Sequence, residues 1–205
     1  MNPRIYKFYL RLSKKYPRPP ELWQVWCQKK KSAKLKEEIA IGAILTQRTN
    51  WRNVEQALAN LKKTNILSLK KISRLKNLEK LKNLIKPAGF YQTKSKRLYE
   101  FCRFLQLNYG SLSNFTKEDL KTAREKLLAL YGIGPETADS ILLYALDKPT
   151  FVIDEYTRRF VKKNRLAKKF TYDYLKNLFE KNLPCDVELY QKYHALIVWE
   201  GKKKD

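Results

Sequence analysis

Between Leu35 and Gln47 the chain reads LKEEIAIGAILTQ, apolar on nearly every face of a helix. Such a segment is stable only when packed on all sides, so the fold has to be assembled around it as a central buried helix. Elsewhere the apolar residues mostly recur at helical spacing. In the stretch Thr93–Asn108, Leu98, Phe101, Cys102 and Leu105 fall at i, i+3, i+4 and i+7 and mark one buried face. Only six glycines occur in 205 residues, and 43% of the chain is hydrophobic. An all-α protein of one compact domain or two small lobes is expected, long enough to bury a sizeable core.

The remaining segments fit that reading. An amphipathic helix over about Pro3–Tyr16 ends at YPRPP, where prolines cannot continue it. ELWQVWCQKKKSAK then sets Trp23 and Trp26 before a basic run. In NWRNVEQALANLKK, Asn50 suits an N-cap and Trp51 the first helical position. Short helices around Ser68–Lys82 lead to a Pro/Gly turn, KPAGF, opening the longer helix. Further helices are expected near Glu155–Asn164, Tyr172–Leu183 and Val187–Glu200. There is no internal repeat, and no compositional boundary separates domains.

Lys and Arg number 44 against 20 Asp and Glu, a formal charge of +24. That excess repels itself in the compact state, so a polyanion, nucleic acid first, is the natural partner. A solubilising lysine coat is the bland alternative. An anionic membrane surface suits the chain less, because no long basic amphipathic segment stands apart from the core. No stretch is apolar for long enough to span a bilayer, and the first twenty residues lack a signal-peptide core. Three scattered cysteines (Cys27, Cys102, Cys185) without a C-x-x-C argue against a disulfide framework or a cysteine zinc site and suit a reducing cytoplasm. The lone His194 cannot supply a histidine metal cluster, and its apolar helix suggests a packed core residue.

One segment carries most of the chemistry: LYGIGPETADSILLYAL, residues 130–146. It reads as a helix end, a tight glycine turn and a second helix starting at Pro135. Gly132 and Gly134 permit positive φ and close approach of a ligand to the backbone. Pro135 fits the first helical position, where a missing N–H costs nothing. The free N–H groups of the turn then face outward as an anion site, for which DNA phosphate is the obvious ligand. An ordinary helical corner is the alternative, but Leu130 and Ile133 flank the turn as apolar clamps.

The hairpin, followed by PTFVIDEYTRR, resembles the helix-hairpin-helix glycosylase superfamily of base-excision repair. AIGAILTQRTNWRNVEQAL and IKPAGFYQTKSKRL resemble its endonuclease III branch in the same order, and YHALIVWEGK resembles the helix before that branch's iron–sulfur loop. Closest in character are the endonuclease III-like 3-methyladenine DNA glycosylases. The resemblance covers about Leu35–Lys202. It implies a two-lobed all-α fold, with a lobe over residues 31–148 that ends in the hairpin and a second built from 1–30 and 149–205. The active site would lie in the cleft between them.

Two departures from the family pattern are informative. Bifunctional members carry a lysine in the hairpin that forms a Schiff base with the sugar; here the position is Glu136, whose carboxylate cannot form an imine. No cysteine follows Cys185, so no iron–sulfur cluster is expected. A monovalent cation held by outward hairpin carbonyls is the one cofactor the resemblance allows. Glu136 and Thr137 join Gly132 and Gly134 as the implied phosphate-binding residues.

Asp154 aligns with the superfamily's catalytic aspartate. Breaking an N-glycosidic bond builds positive charge on the sugar, which an oriented carboxylate stabilises. It could also orient or deprotonate the attacking water. An N-cap for the helix beginning EYTRR is the alternative, and one side chain can do both. A damaged base must leave the duplex before its sugar bond is reached. By resemblance, Gln47 would fill the gap it leaves and Phe90 would wedge the opposite strand. A helix-lining and a core role are the respective alternatives.

Trp51, with Trp23 and Trp26 behind it, would form the base pocket. N3-methyladenine and N7-methylguanine are cationic and attract an electron-rich indole face, although core packing accounts for aromatic residues equally well. The expected activity is that of a monofunctional DNA glycosylase releasing an alkylated purine from double-stranded DNA, acting as a monomer in the cytoplasm at the nucleoid. A uracil or thymine mismatch glycosylase, or a non-catalytic binder of damaged DNA, are the alternatives.

Overall fold

A computed structural model describes residues 3–18 and 21–203. Pro19 and Pro20 of the YPRPP stop signal lie outside the described residues. Helices run the length of the chain, and among the described residues there are no strands. The chain divides into two compact units: residues 31–141, and residues 1–30 with 142–205.

The unit of residues 31–141 is built on α3 (Ala33–Leu45), in which every residue from Ile39 to Leu45 is buried. An apolar helix without a polar face has only this solution. Ser32 caps it through its hydroxyl, which accepts the Leu35 N–H. Around it follow α4 (Trp51–Lys63), α5 (Leu69–Ser73), α6 (Glu79–Ile85), a 3₁₀ turn (Lys86–Ala88), α7 (Tyr91–Tyr109), α8 (Leu112–Phe115), α9 (Leu120–Leu128) and α10 (Pro135–Ser140). Asn50 caps α4 as its sequence position predicts, accepting the Asn53 N–H. Helix α7 starts two residues before the expected Thr93, because Gly89 and Phe90 both adopt positive φ and turn the chain into it. Its buried face holds Lys94 and Ser95 beside Leu98, Phe101, Cys102 and Leu105.

The other unit joins the two ends of the chain: α1 (Pro3–Lys15), α2 (Glu21–Trp26), a π turn (Ile141–Ala145) at the unit boundary, α11 (Glu155–Lys163), α12 (Tyr172–Glu180) and α13 (Val187–Lys202). Helix α13 packs against α1 and α11. Phe151 stacks on Phe179 with ring centroids 4.2 Å apart, and the Tyr193 hydroxyl donates to the Ile5 carbonyl over 2.9 Å. Helix α12 stops at Glu180, three residues short of the expected Leu183. No described helix is long and apolar enough to cross a membrane.

Candidate active site

In the unit of residues 31–141, the hairpin is the segment joining α9 to α10. The Ile133 N–H donates to the Leu130 carbonyl, closing a tight turn. Gly132 has φ +73°, a conformation that favours glycine, and a Cβ there would displace the Arg97 side chain. Gly134 does not use the left-handed freedom expected of it. Its φ of −87° and ψ of 176° are ordinary extended values at the N-cap of α10. Pro135 occupies the first turn as predicted. Arg124 on α9 grips the fully buried Asp139 on α10 with two bonds, Nε to Oδ1 at 2.8 Å and Nη2 to Oδ2 at 3.2 Å. A bidentate charged pair of this kind fixes the two hairpin helices relative to each other.

Gln47 follows the end of α3, and its amide is fully engaged. Its Nε2 donates to the Gly132 carbonyl and to Thr137 Oγ1, both at 2.9 Å, while Oε1 accepts from Arg97 Nη1 at 2.6 Å. Entry of this side chain into a duplex would exchange those bonds for new ones. Phe90 is 63% exposed, which excludes the core alternative. It holds φ +46°, an uncommon conformation for a bulky residue that persists only where its surroundings enforce it.

Two residues before Phe90, the Ala88 carbonyl is held by Lys94. Its ammonium is buried and donates to the carbonyls of Leu45 and Ala88, each over 2.8 Å. Burial, and then the neighbouring Arg97 charge, lower its pKa from 10.5 to about 8. A groove of about 510 Å³ gathers Gln47, Phe90, Arg97, Glu136 and Thr137 in its lining. Glu136 is exposed in the first turn of α10. Trp51 opens α4, half-buried, and does not line this groove.

In the unit of the two chain ends, the run Phe151–Ile153 is almost fully buried and delivers Asp154 to the start of α11. Glu180 Oε1 accepts the Phe151 N–H at 2.8 Å and anchors that run. Asp154 is the N-cap: its Oδ1 accepts the Thr157 N–H at 2.7 Å. Its side chain is 16% exposed, and its Oδ2 lies 3.4 Å from His194 Nε2. Burial alone would raise the carboxyl, but the His194 charge and hydrogen bond, with the Thr157 bonds, outweigh it and hold the pKa below the ordinary 3.8. The carboxylate is therefore ionised and held.

Trp23 and Trp26 also lie in this unit, each less than a tenth exposed. Their rings meet edge to face, both pack on Tyr144, and Trp23 meets His194 at 5.8 Å. In this arrangement they pack beside the aspartate's histidine neighbour. Arg158 donates to the Phe170 carbonyl, and Arg159 pairs with Glu155 at 3.1 Å.

Sequence reasoning missed the partnership of His194 with Asp154, and it missed Lys94 and Arg97. Lys94 left a readable sign, since it lies four residues before Leu98 on the apolar face of α7. Among the described residues, no three His, Cys, Asp or Glu side chains come together as a metal site. Cys102 is buried, Cys185 exposed and Cys27 between the two.

Residues 41–185 match the family model described as HhH-GPD superfamily base excision DNA repair protein, and the chain belongs to that family. It is thus a DNA repair glycosylase of that family. A Methanocaldococcus jannaschii protein, assigned provisionally to the DNA repair glycosylases, is 48% identical over 174 residues, 83% of this chain and 79% of that one. Endonuclease III of Thermotoga maritima is 29% identical over 149 residues, covering 73% of this chain and 66% of its own. Among solved structures, the H. pylori 3-methyladenine DNA glycosylase bound to 1,N6-ethenoadenine superposes with a TM-score of 0.83 at 30% identity, over 98% of both chains.

Proposed function

We propose that the protein is a monofunctional glycosylase that hydrolyses the N-glycosidic bond of a flipped, alkylated purine in double-stranded DNA. The observation that carries the mechanism is Asp154, an ionised carboxylate fixed at the head of α11 by the Thr157 N–H. As the bond breaks, positive charge gathers on the sugar, and a preorganised carboxylate stabilises it without reorganising at the moment of reaction. The same group orients the attacking water. A methylated purine leaves as a neutral base, so no strong general acid is needed.

In this reading the two compact units are the glycosylase lobes, and the hairpin N–H groups take a DNA phosphate. Gln47 and Phe90 enter the duplex and Trp51 stacks on the extruded base. Exposure of Phe90 and its place beside Gln47 in the 510 Å³ groove support the insertion roles. The likeness to the H. pylori 3-methyladenine glycosylase supports the substrate class. An iron–sulfur cluster has no part in this reading, since of the three cysteines one is buried, one exposed and one intermediate.

Duplexes carrying single lesions decide the substrate. Release of 3-methyladenine or 7-methylguanine ahead of mismatched uracil or thymine is expected, and the reverse preference would remove the alkylpurine assignment. Glu136 in the hairpin sets the mode of action. The abasic product should stay unbroken until alkali or heat is applied, and borohydride should trap no protein–DNA adduct in high yield, because a carboxylate forms no imine. Efficient trapping would make the enzyme bifunctional and place an amine at the sugar.

A further inference from the structure

His194 is 4% exposed and is the only histidine of the chain. Its Nδ1 lies 2.7 Å from the Tyr144 hydroxyl, whose oxygen is also 3.2 Å from the Gln191 carbonyl. The hydroxyl has a single proton to give. Donated to Nδ1, it leaves a neutral imidazole whose own proton sits on Nε2, facing Asp154 Oδ2 at 3.4 Å. Donated instead to the Gln191 carbonyl, it requires a proton on Nδ1. A neutral ring would then turn the bare lone pair of Nε2 on the carboxylate, a conflict that only a second proton, on Nε2, relieves. Both favourable arrangements put an N–H on Nε2 toward Asp154.

The ring is held in that pose by its surroundings. Trp23 meets it edge to face at 5.8 Å and Phe151 at 6.5 Å, and Tyr144 packs on it at 5.8 Å. The carboxylate is held at Oδ1 by the Thr157 N–H of α11, and its Oδ2 faces Nε2 of α13 at 3.4 Å. Tyr144 of the π turn stands behind the histidine, and Cys27, after α2, adds to the field on Tyr144.

Resting on the reading of Asp154 as the reacting carboxylate, we infer that His194 is a positioning residue for base release, its Nε2–H aiming Oδ2 and Tyr144 setting the tautomer. The separation of 3.4 Å is long for a finished hydrogen bond, and catalytic bonds of this kind tighten once substrate is in place. Removal of the N–H leaves burial as the dominant influence on Asp154, so its carboxyl rises and protonates at higher pH.

Single-turnover base release from methylated duplex DNA separates the roles. His194→Phe, which keeps a ring against Trp23 but loses both nitrogens, should slow release roughly 10- to 100-fold, the scale of a lost hydrogen bond to a charged group. DNA affinity should be unchanged, and the acid limb of the pH–rate profile should move to higher pH. His194→Gln, whose amide supplies an N–H, should recover most of the rate. A purely structural histidine would move neither the acid limb nor the rescue pattern.

Wild-type release and an unmoved acid limb in His194→Phe, with Asp154→Asn inactive, would overturn this inference alone. Full activity of Asp154→Asn would overturn the reading of Asp154 and this inference with it. In the unmutated protein, imidazole ¹⁵N resonances should report Nε2 protonated wherever Asp154 is ionised; an unprotonated Nε2 there sinks the proposal whether or not the variants fold.

Discussion

Replacing Asp154 by Asn should cut base release by on the order of 10²-fold or more while leaving affinity for damaged DNA in place. The substitution keeps the shape and the cap: an Asn oxygen accepts the Thr157 N–H as well as an Asp oxygen does, so α11 should still start where it does. What disappears is the negative charge that the developing sugar cation needs. The pH dependence follows from the same residue. Its carboxyl titrates below the ordinary 3.8, so ionisation of Asp154 also contributes stability that is fully present above that value and is lost as pH falls through the lowered pKa. Asp154→Asn should therefore flatten the acid end of the stability curve as it abolishes turnover. Near-normal excision by this variant, measured under single-turnover conditions, would move the chemistry to another group.

Trp51→Ala is expected to lose roughly 5- to 150-fold in productive binding of methylated purines, since stacking on a nucleobase is worth about 1–3 kcal/mol. Trp51→Phe and Trp51→Tyr should keep part of that. The residue opens α4 after the Asn50 cap and is half-buried, a place from which an indole can serve a ligand or the core. The two roles give opposite patterns. A pocket residue affects cationic bases selectively and spares salt-dependent binding of undamaged DNA. A core residue lowers the melting temperature and impairs every substrate alike. Melting curves run beside excision of 3-methyladenine and of mismatched uracil separate them.

Local physics made much of this molecule readable in advance. Helix α3 was legible because an apolar segment with no polar side has one place to go, and Asn50 and Asp154 because caps are written within three residues of where they act. The positive φ of Gly132 followed from the tight turn, whereas Gly134 could not be told from it. Two glycines one residue apart look alike until the turn assigns one to the bend and the other to a helix cap. The π turn at Ile141–Ala145 lies within an apolar stretch that reads as continuous helix.

The partners of the candidate site were the least visible. His194 and Tyr144 are 50 residues apart, and their meeting at Asp154 is a product of tertiary packing alone. Composition marks no boundary between the two compact units. Gln47 could be named from resemblance, but its three bonds to the hairpin and Arg97 could not.

The buried ammonium of Lys94 has a thermodynamic reach beyond the carbonyls it holds. Leu45 stands two residues before Gln47 and Ala88 two before Phe90, so one charge ties the bases of both segments whose tips we assign to the duplex. A tie of that kind restricts both segments, so the ordering entropy of inserting both residues would be met largely at folding. The tie is also linked to protons. With a folded pKa near 8 against 10.5 for the free side chain, the unfolded chain binds more protons than the native one throughout that interval. Stability from this residue should accordingly rise with pH between about 8 and 10.5, by at most about 1.4 kcal/mol for each pH unit. The rise should vanish in Lys94→Met, compared by denaturant melts across that range. Alkali, usually an enemy of lysine-rich proteins, should raise the net stability of this one through the residue that ties the segments bearing Gln47 and Phe90.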